Sequence, residues 1–170
     1  DLPTQTRLWW NNGGVFSQGP LFGEFITHVA DFNGDGLPDL LGAKGVVMIH
    51  AGLGGAAFGP GFTVPLILSN TFDRVAVADL DKDGDLDIAA VTTHNPPAVL
   101  PAIAWNDGQA GFSAELLVGS VTYGFARTVL AVDVNGDGWD DLVVPYCTYA
   151  DNASWIYLKK PGAAGFESPV

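Results

Sequence analysis

The sequence predicts an all-β protein: an array of four-stranded antiparallel units, about three and a half of them. Three observations point there: an acidic decapeptide that occurs three times, a second turn motif that recurs out of phase with it, and short apolar runs between them. The composition agrees. Of 170 residues, 48% are hydrophobic, and 22 Gly and 11 Pro punctuate the chain, which suits many short strands joined by turns.

The acidic segments align without gaps. They read Asp31-Phe-Asn33-Gly-Asp35-Gly-Leu37-Pro-Asp39-Leu40, Asp79-Leu-Asp81-Lys-Asp83-Gly-Asp85-Leu-Asp87-Ile88 and Asp133-Val-Asn135-Gly-Asp137-Gly-Trp139-Asp-Asp141-Leu142. Their first residues are 79 − 31 = 48 and 133 − 79 = 54 positions apart, within the range of propeller blades. Turns of the second kind are Trp10-Asn11-Asn12-Gly13-Gly14-Val15-Phe16 and Trp105-Asn106-Asp107-Gly108 running to Phe112. Looser versions follow Ile49-His50 and Tyr157-Leu158. Asn-Gly and Asp-Gly between apolar runs mark hairpins, because these residues tolerate positive φ.

The elements follow in order. Residues 1–24 supply only an outer hairpin, half a blade. Residues 25–69, 70–119 and 120–170 are full units. In each, one strand enters the acidic loop and a second leaves it, as in Arg74–Leu80 and Asp87–Thr93, or Thr128–Val134 and Asp141–Tyr146. A third strand (Val46–His50, Val99–Trp105) reaches the hairpin and a fourth (Phe62–Leu68, Phe112–Val118) leaves it. Trp9, Trp105 and Tyr157, beside the hairpins, are expected to pack in the core.

Charge explains what the loops are for. The net charge is −12, and 12 of the 19 acidic residues lie in the three decapeptides. Carboxylates this dense repel one another unless a cation neutralises them. Calcium takes six to eight oxygens, and alternate side chains of a tight loop converge on one centre. The expected ligands are Asp31, Asn33, Asp35, Asp39 and the Leu37 carbonyl in the first loop. They are Asp79, Asp81, Asp83, Asp87 and the Asp85 carbonyl in the second, and Asp133, Asn135, Asp137, Asp141 and the Trp139 carbonyl in the third. An EF-hand would need Glu at position twelve, where this chain has Gly42, Ala90 and Val144.

At these residues the chain resembles the FG-GAP/VCBS repeat family, which joins such an acidic loop to an Asn-Asp-Gly hairpin ending in Phe. The resemblance covers essentially the whole chain and implies a calcium-binding β-propeller of the kind found in the integrin α-subunit head, a fungal lectin and many secreted adhesion or polysaccharide-associated proteins. It implies calcium at three sites and an extracellular location. Lys82 departs from the family's usual glycine.

Other functions find less support. The acidic surface opposes nucleic-acid binding, and no apolar run approaches the length of a membrane span. His28, His50 and His94 lack paired spacing for zinc, and no nucleophile motif is present, so no enzymatic activity is expected. Two function classes follow: a structural or interaction module for adhesion or self-assembly, its partners other proteins or copies of itself and its end product a filament by blade completion, and a carbohydrate-binding lectin. The chain also reads as part of a larger secreted propeller protein. For a lectin, the loops opposite the calcium loops offer His94, Asn95, Tyr123, Tyr146 and Tyr149 as a ligand face, and Asn152-Ala153-Ser154 is a candidate glycosylation site.

Overall fold

A computed structural model describes residues 5–66, 72–92, 101–109, 111–117, 125–147, 152–162 and 165–169. Among them there is no helix. A hairpin comes first: β1 (Thr6–Asn12) pairs antiparallel with β2 (Val15–Phe22) around the Gly13-Gly14 turn. Asn11 Oδ1 accepts the Gly14 N–H at 2.7 Å and fixes that turn.

Three four-stranded antiparallel sheets follow. Sheet one is β3 (Phe25–Ala30), β4 (Asp39–Lys44), β5 (Val46–His50) and β6 (Phe62–Thr63), in sequence order. Sheet two repeats it with β7 (Phe72–Ala78), β8 (Asp87–Thr92), β9 (Ala102–Asn106) and β10 (Phe112–Leu116). Sheet three differs in detail. Its first strand is broken into β11 (Phe125–Ala126) and β12 (Leu130–Val132), both paired with β13 (Asp141–Cys147), which also pairs with β14 (Asn152–Tyr157). An isolated bridge, Lys159 to Phe166, stands where the fourth strand runs in the other sheets.

The break in sheet three has a counterpart elsewhere. Register slips between Ile26 and His28 in β3 and between Phe72 and Arg74 in β7. A bulge in every first strand bends it and raises its twist. The sequence gives the strand as Thr128–Val134; the bulge leaves only Leu130–Val132 in regular pairing.

Apolar residues on both faces of sheet two lock the array together. One face, with Ile88, Ala90, Ala102 and Ala104, packs on Leu41, Val47 and Ile49 of sheet one. The other face, with Ala76, Ala89, Val91 and Ile103, packs on Leu142, Val144, Tyr146 and Tyr157 of sheet three. The hairpin is held to sheet one in its own way. Phe22 meets the His50 ring edge-on at 4.8 Å, Glu24 bonds His50 Nε2, and Trp10 stacks on Phe58 with ring centroids 6.3 Å apart. Trp105 of sheet two stacks on Phe166 of sheet three in the same fashion, at 6.4 Å. The repeated aromatic of each hairpin thus packs against the next unit.

Two expectations need correction here. Tyr146, offered as part of a ligand face, is 2% exposed and sits in the core between sheets two and three, because alternation along β13 turns it inward. Burial, then the neighbouring Tyr157, pushes its hydroxyl pKa upward. Trp9 is 54% exposed rather than packed; its neighbour Trp10 faces sheet one instead. His94, Asn95, Tyr123 and Tyr149 lie outside the described residues. Asn152 opens β14 rather than lying in a loop.

Candidate metal centre

Each acidic decapeptide lies between the first and second strands of its sheet, where the chain must reverse within a few residues. Gly36, Gly84 and Gly138, at position six, have φ of +80°, +102° and +86°, which glycine adopts without steric cost. Position four is also left-handed: Gly34 at +72°, Gly136 at +80° and, in the second loop, Lys82 at +60°. A lysine pays roughly 1–2 kcal/mol for that conformation. The loop geometry therefore overrides the local preference of this residue.

The first and third loops form the same network. Asp31 Oδ1 accepts the Gly34 N–H at 2.8 Å and Oδ2 the Gly36 N–H at 2.7 Å; Asp133 does the same with Gly136 at 2.7 Å and Gly138 at 2.8 Å. Asn33 Nδ2 donates to Asp35 Oδ2 at 3.1 Å, and Asn135 Nδ2 to Asp137 Oδ2 at 3.0 Å. Asp35 Oδ1 and Asp137 Oδ1 then hold the backbone N–H of Leu37 and Trp139, at 2.8 and 2.9 Å. These backbone bonds, led by Gly36 for Asp31 and Gly138 for Asp133, hold both first-position carboxyls below the ordinary carboxylate range.

The second loop is more highly charged. Asp81 replaces the asparagine, so the third position has no amide to offer its neighbour. Asp79 Oδ2 accepts the Gly84 N–H at 3.1 Å, but its Oδ1 is buried without a hydrogen-bond partner. One carboxylate oxygen from each of Asp79, Asp81 and Asp87 lies within 4.8 Å of the others. Two oxygens on one calcium ion, each at 2.3–2.6 Å, are at most about 5 Å apart, so the spacing fits a shared ion. Burial, then the charge of Asp83, pushes the Asp81 carboxyl up. Burial pushes Asp87 up to about 7, against the backbone bonds it accepts. An orphaned buried oxygen among crowded all-oxygen donors is what a hard divalent cation requires.

Position nine plays a second part in all three loops. Asp39, Asp87 and Asp141 are at most 1% exposed. Each Oδ2 accepts the backbone N–H of position two: Phe32 at 2.9 Å, Leu80 at 2.9 Å and Val134 at 3.1 Å. Each Oδ1 accepts an N–H at or just beyond the end of the third strand: Gly52 at 2.7 Å, Asn106 at 2.9 Å and Lys159 at 2.8 Å. These carboxylates pin the loop to the hairpin of its own sheet. The carboxylate at position nine, expected as a cation ligand, is also a structural staple.

Contacts between neighbouring sheets meet the loops as well. Asn106 Nδ2 donates to the Phe32 carbonyl of the first loop at 2.8 Å and to the Leu86 carbonyl at 3.2 Å. Lys82 Nζ lies 4.8 Å from the Trp139 ring centroid, and Lys159 Nζ is 5.2 Å from that ring. Sequence reasoning did not find these lysine contacts; the one signal was Lys82 standing where the other loops have glycine.

Repeats of this architecture, with acidic loops at fixed places between first and second strands, define a class of β-sheet interaction module. The FG-GAP-like repeat matches residues 31–90 and 79–144, and the chain belongs to this family. Its repeats often bind calcium and are typical of extracellular proteins. No curated protein matches the chain at a significant level.

Proposed function

We propose that this chain is a non-enzymatic, calcium-stabilised propeller module of a secreted or cell-surface protein, whose role is to bind further blades of its own kind. Calcium at Asp31–Asp39, Asp79–Asp87 and Asp133–Asp141 would neutralise the loops and fix the ends of the first and second strands.

The observation that carries the interaction role is where the exposed apolar residues fall. Leu130, Val132 and Val134 are 43–49% exposed. Counted from the first acidic residue of each loop, they correspond to Ala76, Ala78 and Leu80 of sheet two, which pack against sheet three. At the other end, Trp9, Phe16 and Leu21 are 45–63% exposed. Aligning Trp10-Asn11 on Trp105-Asn106, and carrying the strand register across, matches them to Ala104, Phe112 and Leu116, which pack toward sheet one. Among the described residues β1 pairs only with β2, whereas β5 and β9 each pair on both edges. Both ends therefore present surfaces that, inside the array, are covered by another blade. One unpaired edge adds a template for further strands.

The two ends differ, so contact between copies is head-to-tail and heterologous, the kind that grows into rings or filaments. Sedimentation of the purified chain over a range of concentrations tests this. Self-association is expected, and Val132→Glu or Phe16→Glu should each stop growth. A mixture of the two variants keeps one intact pair of faces and should form dimers. A monomer at every concentration would refute self-assembly.

A further inference from the structure

We propose that Lys82 is a positioning residue that links the second and third acidic loops, holding Trp139 so that a cation bound in one loop raises the affinity of the other. The inference rests on the calcium reading above and concerns how two of its sites communicate.

The link starts from the backbone. Position four of the second loop is left-handed, like Gly34 and Gly136, yet carries a lysine. From there the side chain crosses to the neighbouring sheet and places Nζ 4.8 Å from the Trp139 ring centroid. Gly138, beside Trp139, lies along the same approach: a Cβ built there would be in ordinary van der Waals contact with that ammonium, at 3.7 Å. Trp139 occupies position seven of the third loop. Its N–H is held by Asp137 Oδ1 at 2.9 Å, and its own carbonyl is the expected seventh-position cation donor.

The same indole also faces Lys159 Nζ, at 5.2 Å. Lys159 is 2% exposed, and its ammonium lies 5.7 Å from the rings of both Trp105 and Phe166. Trp139 is thus engaged by one ammonium from the second loop and by another anchored in the interface of sheets two and three. Both contacts restrict the residue that must present the carbonyl.

Coulomb's law supplies the communication. Lys82 lies among carboxylates of its own loop, Asp81 and Asp83 on either side in sequence. A divalent cation there cancels their attraction and repels the ammonium outward, toward the electron-rich ring. A better-held Trp139 orders the third loop before its own cation arrives, and by linkage the effect is reciprocal. The first and second loops are joined differently, through the uncharged Asn106 amide, since Gly34 has no side chain to reach across.

Terbium(III), which substitutes for calcium at oxygen sites and luminesces when excited through a nearby indole, reads the third loop through Trp139. Calorimetry with calcium reports all loops together. In Lys82→Gly the positive charge is lost and the backbone strain is relieved, and both changes alone would tighten cation binding. The link predicts the opposite at the third loop: affinity about two- to fivefold weaker, the range of an exposed cation–π contact. Disabling the second loop by Asp83→Asn should weaken terbium binding at the third loop in the wild-type background and leave it unchanged in Lys82→Gly. If Lys82→Gly tightens or leaves unchanged the third loop while calcium heats persist, the link is overturned and the calcium reading stands. If the wild-type chain shows neither calcium heat nor sensitised luminescence, the calcium reading itself fails.

Discussion

The backbone N–H of Lys159 donates to Asp141 Oδ1 at 2.8 Å, joining the third acidic loop to the far end of its own sheet. The other oxygen of Asp141 accepts the Val134 N–H at 3.1 Å, so one buried carboxylate serves a buried and a half-buried backbone donor, eighteen and seven residues away. The same pair of bonds occurs at Asp39 and Asp87.

Removing Asp141 should therefore unsettle the fold even where no cation is bound. Asp141→Ala leaves the buried Lys159 donor without a partner, at about 1–3 kcal/mol, and the half-buried Val134 donor, at about 1 kcal/mol, so a loss of roughly 2–4 kcal/mol is expected. Asp137→Ala gives up bonds at an exposed loop and should cost about 0.5–1 kcal/mol. Urea unfolding of both variants in chelator measures the difference. Equal losses would show that position nine has no structural share beyond the metal.

Calcium should raise the stability of the whole array. An ion bound only by the native chain stabilises it by about 2.7 kcal/mol at a hundred times its dissociation constant. For a chain of this size that corresponds to roughly 5–10 °C per occupied loop. Melting curves in chelator and in millimolar calcium provide the comparison, and superimposable curves would contradict the assignment of the loops. Neutralising the second loop alone, by Asp79→Asn with Asp81→Asn, should remove only part of the shift.

Tyr146 offers a test of the core. Truncation to alanine empties space between sheets two and three and should cost about 3–5 kcal/mol. Tyr146→Phe keeps the ring and should cost about 1 kcal/mol, the hydroxyl being the only group lost. Chemical denaturation distinguishes the two. A Tyr146→Ala variant as stable as the parent would move this residue out of the core and back toward a ligand surface.

What the sequence made legible follows from where its information is local. The acidic decapeptide specifies its own turn, because ligand residues, glycines and spacing all lie within ten positions, and its recurrence gave the sheet pattern. Trp10 and Trp105 marked the hairpins for the same reason. Residues whose role depends on the neighbouring sheet were harder to place. Tyr146 ends a strand and reads as a loop residue, yet strand alternation and the facing Tyr157 make it core. Trp9 and Trp10 are indistinguishable by type, and only the pleat of β1 decides which one reaches Phe58. The backbone bonds of Asp39, Asp87 and Asp141 were hidden because the sequence showed these residues solely as ligands. Lys82 was visible as an exception to glycine but not as a bridge, since its partner lies 57 positions away in sequence (139 − 82).

The charged second loop should give the cation-free chain an unusual pH profile. Burial raises the Asp87 carboxyl from an ordinary value of 3.8 to about 7 in the fold. Between those values the native chain holds a proton that the unfolded chain has released, so stability falls as pH rises. The gain from neutral Asp87 is complete below the unfolded value and gone above about pH 7, with a full span of up to about 4 kcal/mol. Asp81, also shifted upward, adds in the same direction. Asp31 and Asp133, shifted downward, contribute the opposite slope, but only where their own carboxyls titrate, at and below the ordinary carboxylate range. In chelator the chain should therefore melt at higher temperature at pH 5 than at pH 7.5. Calcium reverses the order, because its ligands must be ionised to bind and affinity grows as protons leave. Asp87→Asn removes the titrating group and should flatten the chelator profile while retaining one acceptor for the backbone. Melting temperatures that rise from pH 5 to pH 7.5 in chelator would mean that Asp87 is ionised in the native chain without help from a cation.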